Sequence, residues 1–105
     1  MDYVVKEGES WPWFQCFDVV LAANALEHVA NPFRVMREMA LALHGDGLVI
    51  VTTPTNIQEH KEPLDCWRIL PDGLRALFQS TILMPVEIGR LAGGPQDTWG
   101  VAQRR

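Results

Sequence analysis

The sequence predicts an α/β domain built on a mostly parallel, doubly wound type of sheet that ends in an antiparallel strand pair. Three observations carry this expectation. Val19 to Ala23 and Leu48 to Val51 are continuous apolar runs without alternation, the pattern of parallel strands covered by helices on both faces. Between them, Phe33, Met36, Ala40 and Leu43 recur at three- and four-residue spacing and make one apolar helix face. Only short joints separate the three segments, so they form a strand–helix–strand unit, whose crossover is right-handed in nearly all sheets.

Each element has its own local reason. Tyr3-Val4-Val5 is a short edge-strand candidate. Residues 7–15 read as a loop rich in Trp11, Trp13 and Phe14, which serve either as cover for the core or as an aromatic platform. Asn24 is placed to cap a single turn over Ala25, Leu26, Glu27 and His28. Asn31 is an N-cap, and Pro32 follows at the first helical position, where its missing N–H costs nothing. Gly45 and Gly47 are expected to end that helix and turn the chain. Residues 55–68 form a long polar segment of the kind that lines sites or closes over them. Pro71 opens a second helix with Leu74, Leu77 and Phe78 on its apolar side. Ile82 to Ile88 reads as a strand, and Pro85, which cannot donate to a ladder, assigns it to a sheet edge. Gly93-Gly94-Pro95 makes a turn into a last strand, Thr98 to Gln103, paired antiparallel with the one before.

Composition narrows the class. A chain of 105 residues is at most one small domain, and 48% hydrophobic with 21% charged residues is a globular balance. The formal charge of -4 argues against a nucleic-acid partner or an anionic membrane surface. No apolar run approaches the roughly 20 residues that span a bilayer, and no basic segment followed by an apolar stretch marks a signal peptide. Cys16 and Cys66 lack metal-ligand spacing and read as free thiols, which suits a reducing, cytoplasmic setting.

The ordered motifs carry a resemblance. Phe17-Asp18-Val19-Val20 is followed by Leu26-Glu27-His28-Val29 and Pro32, then by Glu38, Leu43, Gly47 and Pro54. A later run, Asp65-Cys66-Trp67-Arg68-Ile69-Leu70-Pro71-Asp72-Gly73-Leu74, resembles a D-Y-W-R-x-T-P-x-G-L segment of one branch. Together these resemble the C-terminal half of class I S-adenosylmethionine-dependent methyltransferases, of the type 11-like group, with a partial Rossmann-like sheet. The resemblance implies S-adenosylmethionine as cofactor and a small-molecule or saccharide-type methyl acceptor. It places Ala23, Asn24 and Ala25 against the methionine part of the cofactor, with Glu27 and His28 following, and Glu7 and Gly8 at the adenine. His28 and His60 are the candidate bases, with Asp65 as an orienting group. Solvated or half-buried structural roles are the alternative for His28, Glu27, His60 and Asp65.

The sequence also departs from that pattern. The D-x-G-x-G loop and the acidic end of a second strand, which hold the cofactor's carboxylate end and ribose in the family, have no counterpart here. Residues 1–105 therefore read as a single incomplete domain. Leu70 stands where the branch has a capping threonine. Without the strand that pairs with the first apolar run in the family, Val19 to Ala23 becomes an apolar edge that needs a neighbour. That neighbour is Tyr3-Val4-Val5, a second copy or a partner chain. Three functional readings follow: a methyltransferase, one half of a split enzyme, or a non-catalytic remnant acting as a partner or regulatory subunit.

Overall fold

Parallel pairing of the two apolar runs organises the sheet. The computed structural model describes residues 10–55, 58–59, 64–91 and 97–105. In chain order it contains β1 (Phe17–Ala23), a single 3-10 turn (Leu26–His28), α1 (Pro32–Ala42), β2 (Leu43–Thr53), α2 (Pro71–Gln79), β3 (Leu83–Arg90) and β4 (Thr98–Arg104). The strands lie in the order β1-β2-β4-β3. β1 runs parallel to β2, and β4 runs antiparallel to both β2 and β3. Among the described strands β1, β2 and β3 thus share one direction and β4 opposes them, the mixed α/β sheet expected from the sequence. β3 is an edge, and its ladder shifts register between Pro85 and Glu87, where proline cannot donate.

Both helices cover one face of this sheet. Met36 and Met39 of α1 and Leu74, Leu77 and Phe78 of α2 pack on Ala22, Val49, Val51 and Ala102. Residues alternate between faces along each strand, so the same face carries Gly100, where a Cβ would come 2.7 Å from Leu74 Cδ2 and 3.0 Å from Phe78 Cε2. Complete burial of Phe78 and Leu74 stabilises the layer by about 1.5–3 kcal/mol each relative to exposure.

The opposite face departs from the expectation of helices on both sides. Among the described residues nothing covers Val19 and Leu21, which are 51% and 63% exposed. Leu48, Ile50 and Val101 continue that face and are half-buried. Tyr3-Val4-Val5, the expected neighbour of β1, lies outside the described residues, and β1 is the sheet edge among those described.

Helix boundaries follow their caps. Asn31 accepts a hydrogen bond from the Arg34 N–H at 3.2 Å, and Pro32 occupies the first turn, as the sequence predicts. The glycines do not end α1. The helix stops at Ala42, and its last carbonyls are met from outside by the Gln15 N–H on Leu41 (2.9 Å) and the Cys16 N–H on Ala42 (2.8 Å). β2 starts at once, and Gly45 and Gly47 lie in an excursion where the pairing jumps from Phe17↔Leu43 to Val19↔Leu48. Gly47 is needed there because a Cβ would meet the His44 and Asp18 carbonyls at 2.9 and 3.1 Å. Phe33, assigned to the apolar face of α1, is instead 53% exposed, while Met39 takes a core place.

Gly100→Ala is expected to destabilise the fold by about 1–3 kcal/mol, because two well-packed side chains must move. Gly45→Ala, with nothing within 4 Å of the new methyl, is expected to be near neutral. Urea unfolding of the two variants tests the contrast.

Candidate functional site

Because β1 and β2 are adjacent and parallel, the segments that follow them leave the sheet at the same end. Ligands of open α/β sheets sit outside the carboxyl ends of the strands. Asn24 is the first residue after β1. Its N–H donates to the Thr52 carbonyl at 2.8 Å, and its backbone takes the left-handed conformation, φ 50°. That conformation is uncommon outside glycine and favours Asn among the rest. The expected capping role is not what Asn24 performs: the residue before the 3-10 turn is Ala25, which makes no side-chain cap. Ala23, Asn24 and Ala25 are all exposed, and the two alanines leave the backbone between them open.

The next residues join the two loops. The Cys66 and Trp67 N–H groups donate to the Glu27 carbonyl at 2.7 and 3.1 Å. Trp67 Nε1–H donates to the Val29 carbonyl at 2.8 Å. His28 Nδ1 lies 2.6 Å from the Leu64 carbonyl, which can only accept, so Nδ1 carries the hydrogen. His28 Nε2 lies 3.6 Å from Glu27 Oε2. The Glu27 side chain is not on a solvated turn: it is buried, and Thr53 Oγ1–H donates to its Oε1 at 3.3 Å.

The Asp65 side chain is buried and gripped by Arg68, with Nη1 to Oδ1 at 2.6 Å and Nη2 to Oδ2 at 2.9 Å. The hydrogen bond and charge of Asp65, with smaller contributions from Glu27 and Glu59, hold the Arg68 guanidinium pKa above its usual value against the opposing effect of desolvation. Arg68 also donates to the Trp67 and Gln58 carbonyls, so one fork ties three points of the loop.

The structure therefore brings Asn24, Glu27, His28 and the 64–68 segment together. Glu7, Gly8 and His60 lie outside the described residues. Thr53 and Arg68 join the site without being expected there. The i,i+3 spacing of Asp65 and Arg68, opposite in charge, is the available sequence signal for the second; nothing local marks the first, which meets Glu27 only through the fold. The tryptophans before β1 act as cover: Trp11 packs on the core, donates its N–H to Glu38 at 3.2 Å, and stands edge-on to Trp13, which does the same to Phe17. Cys16 and Cys66 are free, exposed thiols. Among the described residues no helix is long and apolar enough to cross a membrane.

Comparison with known proteins agrees with this geometry. The sequence family described as "Methyltransferase domain" matches residues 1–51. No curated protein matches the sequence significantly. Among solved structures, a chain of the complex between the Haloferax volcanii Trm112 methyltransferase activator and a methyltransferase superposes with a TM-score of 0.73 at 18% identity, covering 94% of this chain and 60% of that one. The [4+2]-cyclase SpnF gives 0.72 at 12% identity, with 90% and 52% covered. The Burkholderia thailandensis 1,6-didemethyltoxoflavin-N1-methyltransferase, solved with 1,6-didemethyltoxoflavin and S-adenosylhomocysteine bound, gives 0.65 at 18% identity, with 90% and 46% covered. The chain thus spans about half to three fifths of the length of these proteins. The family match and the shared fold support a class I S-adenosylmethionine-dependent methyltransferase domain. The sequence resemblance to that class is borne out, and the described residues hold the strand–helix–strand unit on which it rests.

Arg68→Ala is expected to lower stability by about 1–3 kcal/mol, since it removes the two charge-assisted hydrogen bonds to the buried Asp65 carboxylate. Arg68→Lys cannot reproduce the two-pronged contact and should recover only part of the loss. Amide hydrogen exchange at Cys66 and Trp67, faster in both variants, is the local readout.

Proposed function

We propose that the domain to which this chain contributes transfers the methyl group of S-adenosylmethionine to a small-molecule or saccharide-type acceptor. The observation that carries this reading is the end of β1, where left-handed Asn24 lies between two exposed alanines beside the end of β2. Backbone held in a sparsely populated region clusters at ligand sites, and the small flanking side chains fit the methionine end of the cofactor. Ala23, Asn24 and Ala25 would hold that end, the Asn24 amide offering both a donor and an acceptor. Glu7 and Gly8 are assigned to the adenine by resemblance alone. The bound S-adenosylhomocysteine of the Burkholderia enzyme supports a cofactor of this type.

When bound, the cofactor supplies an activated sulfonium methyl. The chain's own residues then have to position the acceptor, exclude water and take a proton where the acceptor must lose one. His28 is the candidate for proton removal: its Nδ1–H is committed to the Leu64 carbonyl, and its Nε2 lies 3.6 Å from Glu27 Oε2. Glu27 acts on His28 through position, its carboxylate fixed by Thr53. Asp65, held by Arg68, and His60 complete the candidate set.

A second reading is supported by the exposed β1 edge. In this reading another chain pairs with β1, and the present chain serves either as half of a split enzyme or as a non-catalytic partner subunit. The Haloferax neighbour, a complex with a methyltransferase activator, gives a precedent for partner chains in this fold. The exposure of Val19 and Leu21 is the surface such a chain would cover.

Calorimetric titration with S-adenosylhomocysteine separates the readings. Binding tighter than about 100 μM, about 5.5 kcal/mol, and weakened in Asn24→Val, which resists the left-handed conformation, supports a working cofactor wall. No heat at millimolar ligand assigns the chain to the remnant or split-enzyme reading. For the edge, sedimentation should show a dimer or larger species with slow exchange of the β1 amides that do not bond to β2. A monodisperse monomer exchanging rapidly along Val19–Ala23 removes the partner at this edge.

A further inference from the structure

We infer that the cavity between the start of α1, residues 67–70 and α2 is a binding site for a small, cationic aromatic molecule. The cavity measures about 530 Å³, inside the range of about 300–1,000 Å³ typical of small-molecule sites. Ile69 and Leu77, both buried, form its floor, and Phe33, Trp67 and Leu70 form its walls. Those three are 53%, 46% and 54% exposed, so three large apolar side chains meet solvent at one concavity rather than singly.

Two of the three stand against local preference. Leu70 is the N-cap of α2 and makes no capping bond, where a Ser, Thr, Asn or Asp would satisfy an orphan N–H. Phe33 leaves the core face of α1 to Met36, Met39 and Ala40. Trp67 is anchored through Nε1–H to the Val29 carbonyl, which fixes its ring before any ligand arrives. A breach of local rules without a packing gain marks a functional position.

Charge selects the ligand. Arg68 at the wall is already neutralised by Asp65. Asp72, also lining the cavity, is exposed in the first turn of α2 and pairs with no cation among the described residues. A carboxylate beside two aromatic side chains favours a cation, through direct attraction and through the ring faces. None of Ala23, Asn24, Ala25, Glu27 and His28 lines this cavity, so the inference stands apart from the cofactor reading.

The test is NMR titration of the full chain with three probes of one shape: tryptamine, neutral 3-ethylindole and anionic indole-3-propionate. Tryptamine should shift the Ile69 and Leu77 methyls and the Trp67 indole N–H, and bind about threefold tighter than 3-ethylindole, with the propionate weakest. Asp72→Asn and added salt should close that gap. Ala76→Trp, at an exposed position lining the cavity, should abolish the shifts with all three; if it fails to fold, the Asp72→Asn comparison decides alone. The inference is overturned by unmoved Ile69 and Leu77 at millimolar tryptamine, or by equal affinity for the three probes. It is also overturned by concentration-dependent shifts at Phe33 and Trp67 without a probe, which would place a second copy of the chain in the cavity.

Discussion

The Glu27 carbonyl is the group on which the functional end of this molecule depends. It accepts the Cys66 and Trp67 N–H groups and so fastens the segment after β2 to the segment after β1. Parallel strands deliver their following loops to the same end of the sheet, but that alone sets neither distance nor orientation. The carbonyl is itself placed by the Glu27 side chain, buried against Thr53 at the end of β2. His28 on Leu64 and Trp67 on Val29 flank it, so the stretch from Glu27 to Val29 ties the two loops together. Arg68 then closes the second loop on itself through Asp65. The order matters: without the Glu27 anchor, His28 and Trp67 lose the partners that orient them.

Above this end, the two faces of the sheet differ in cover rather than in apolar character. Its covered face presents Val20, Ala22, Val49, Val51, Gly100 and Ala102, and the helices come close enough that Gly100 admits no Cβ without displacing Leu74 and Phe78. Its open face presents Val19, Leu21, Leu48, Ile50, Trp99 and Val101. The open face is as apolar as the covered one, and among the described residues its β1 side chains meet solvent. A neighbour covering that face would remove the exposed β1 side chains from water and so add to the stability of the sheet.

How far the sequence reveals this depends on whether the signal is local. The β1–α1–β2 unit, the Asn31 cap with Pro32, and the edge position of Pro85 all follow from neighbours in sequence, and all are found. What local pattern cannot show are contacts made through the fold. The end of α1 is set by N–H groups of Gln15 and Cys16, not by Gly45. Glu27 reads as a surface acid until Thr53 arrives beneath it. Asn24 looks like a cap because caps and left-handed positions draw on the same side chain; only the pull of Thr52 on its N–H separates them. Phe33 fits the apolar periodicity of α1, yet that face turns away from it, since Met36, Met39 and Ala40 already fill the contact. The loop residues at the site are the least legible, their roles being fixed by partners far along the chain.

These local conflicts fall into two kinds, and the distinction carries physical content. Some are compensated. Gln15 sits at φ 52°, but its N–H meets the Leu41 carbonyl that α1 leaves open. Glu27 is a buried carboxylate, but Thr53 donates to it and its backbone fastens a loop. Such residues are explained by the fold they complete. Phe33 and Leu70 are not compensated: each exposes apolar surface, and Leu70 also forgoes a cap worth about 0.5–2 kcal/mol. A fold gains nothing from either arrangement in isolation, whereas a ligand or partner that removes their surface from water gains from both at once. Both line one cavity, beside loops whose positions are fixed by backbone bonds rather than by that cavity's contents. The uncompensated pair is what sets this cavity apart from apolar residues exposed singly elsewhere, and it is the basis of the proposed ligand site.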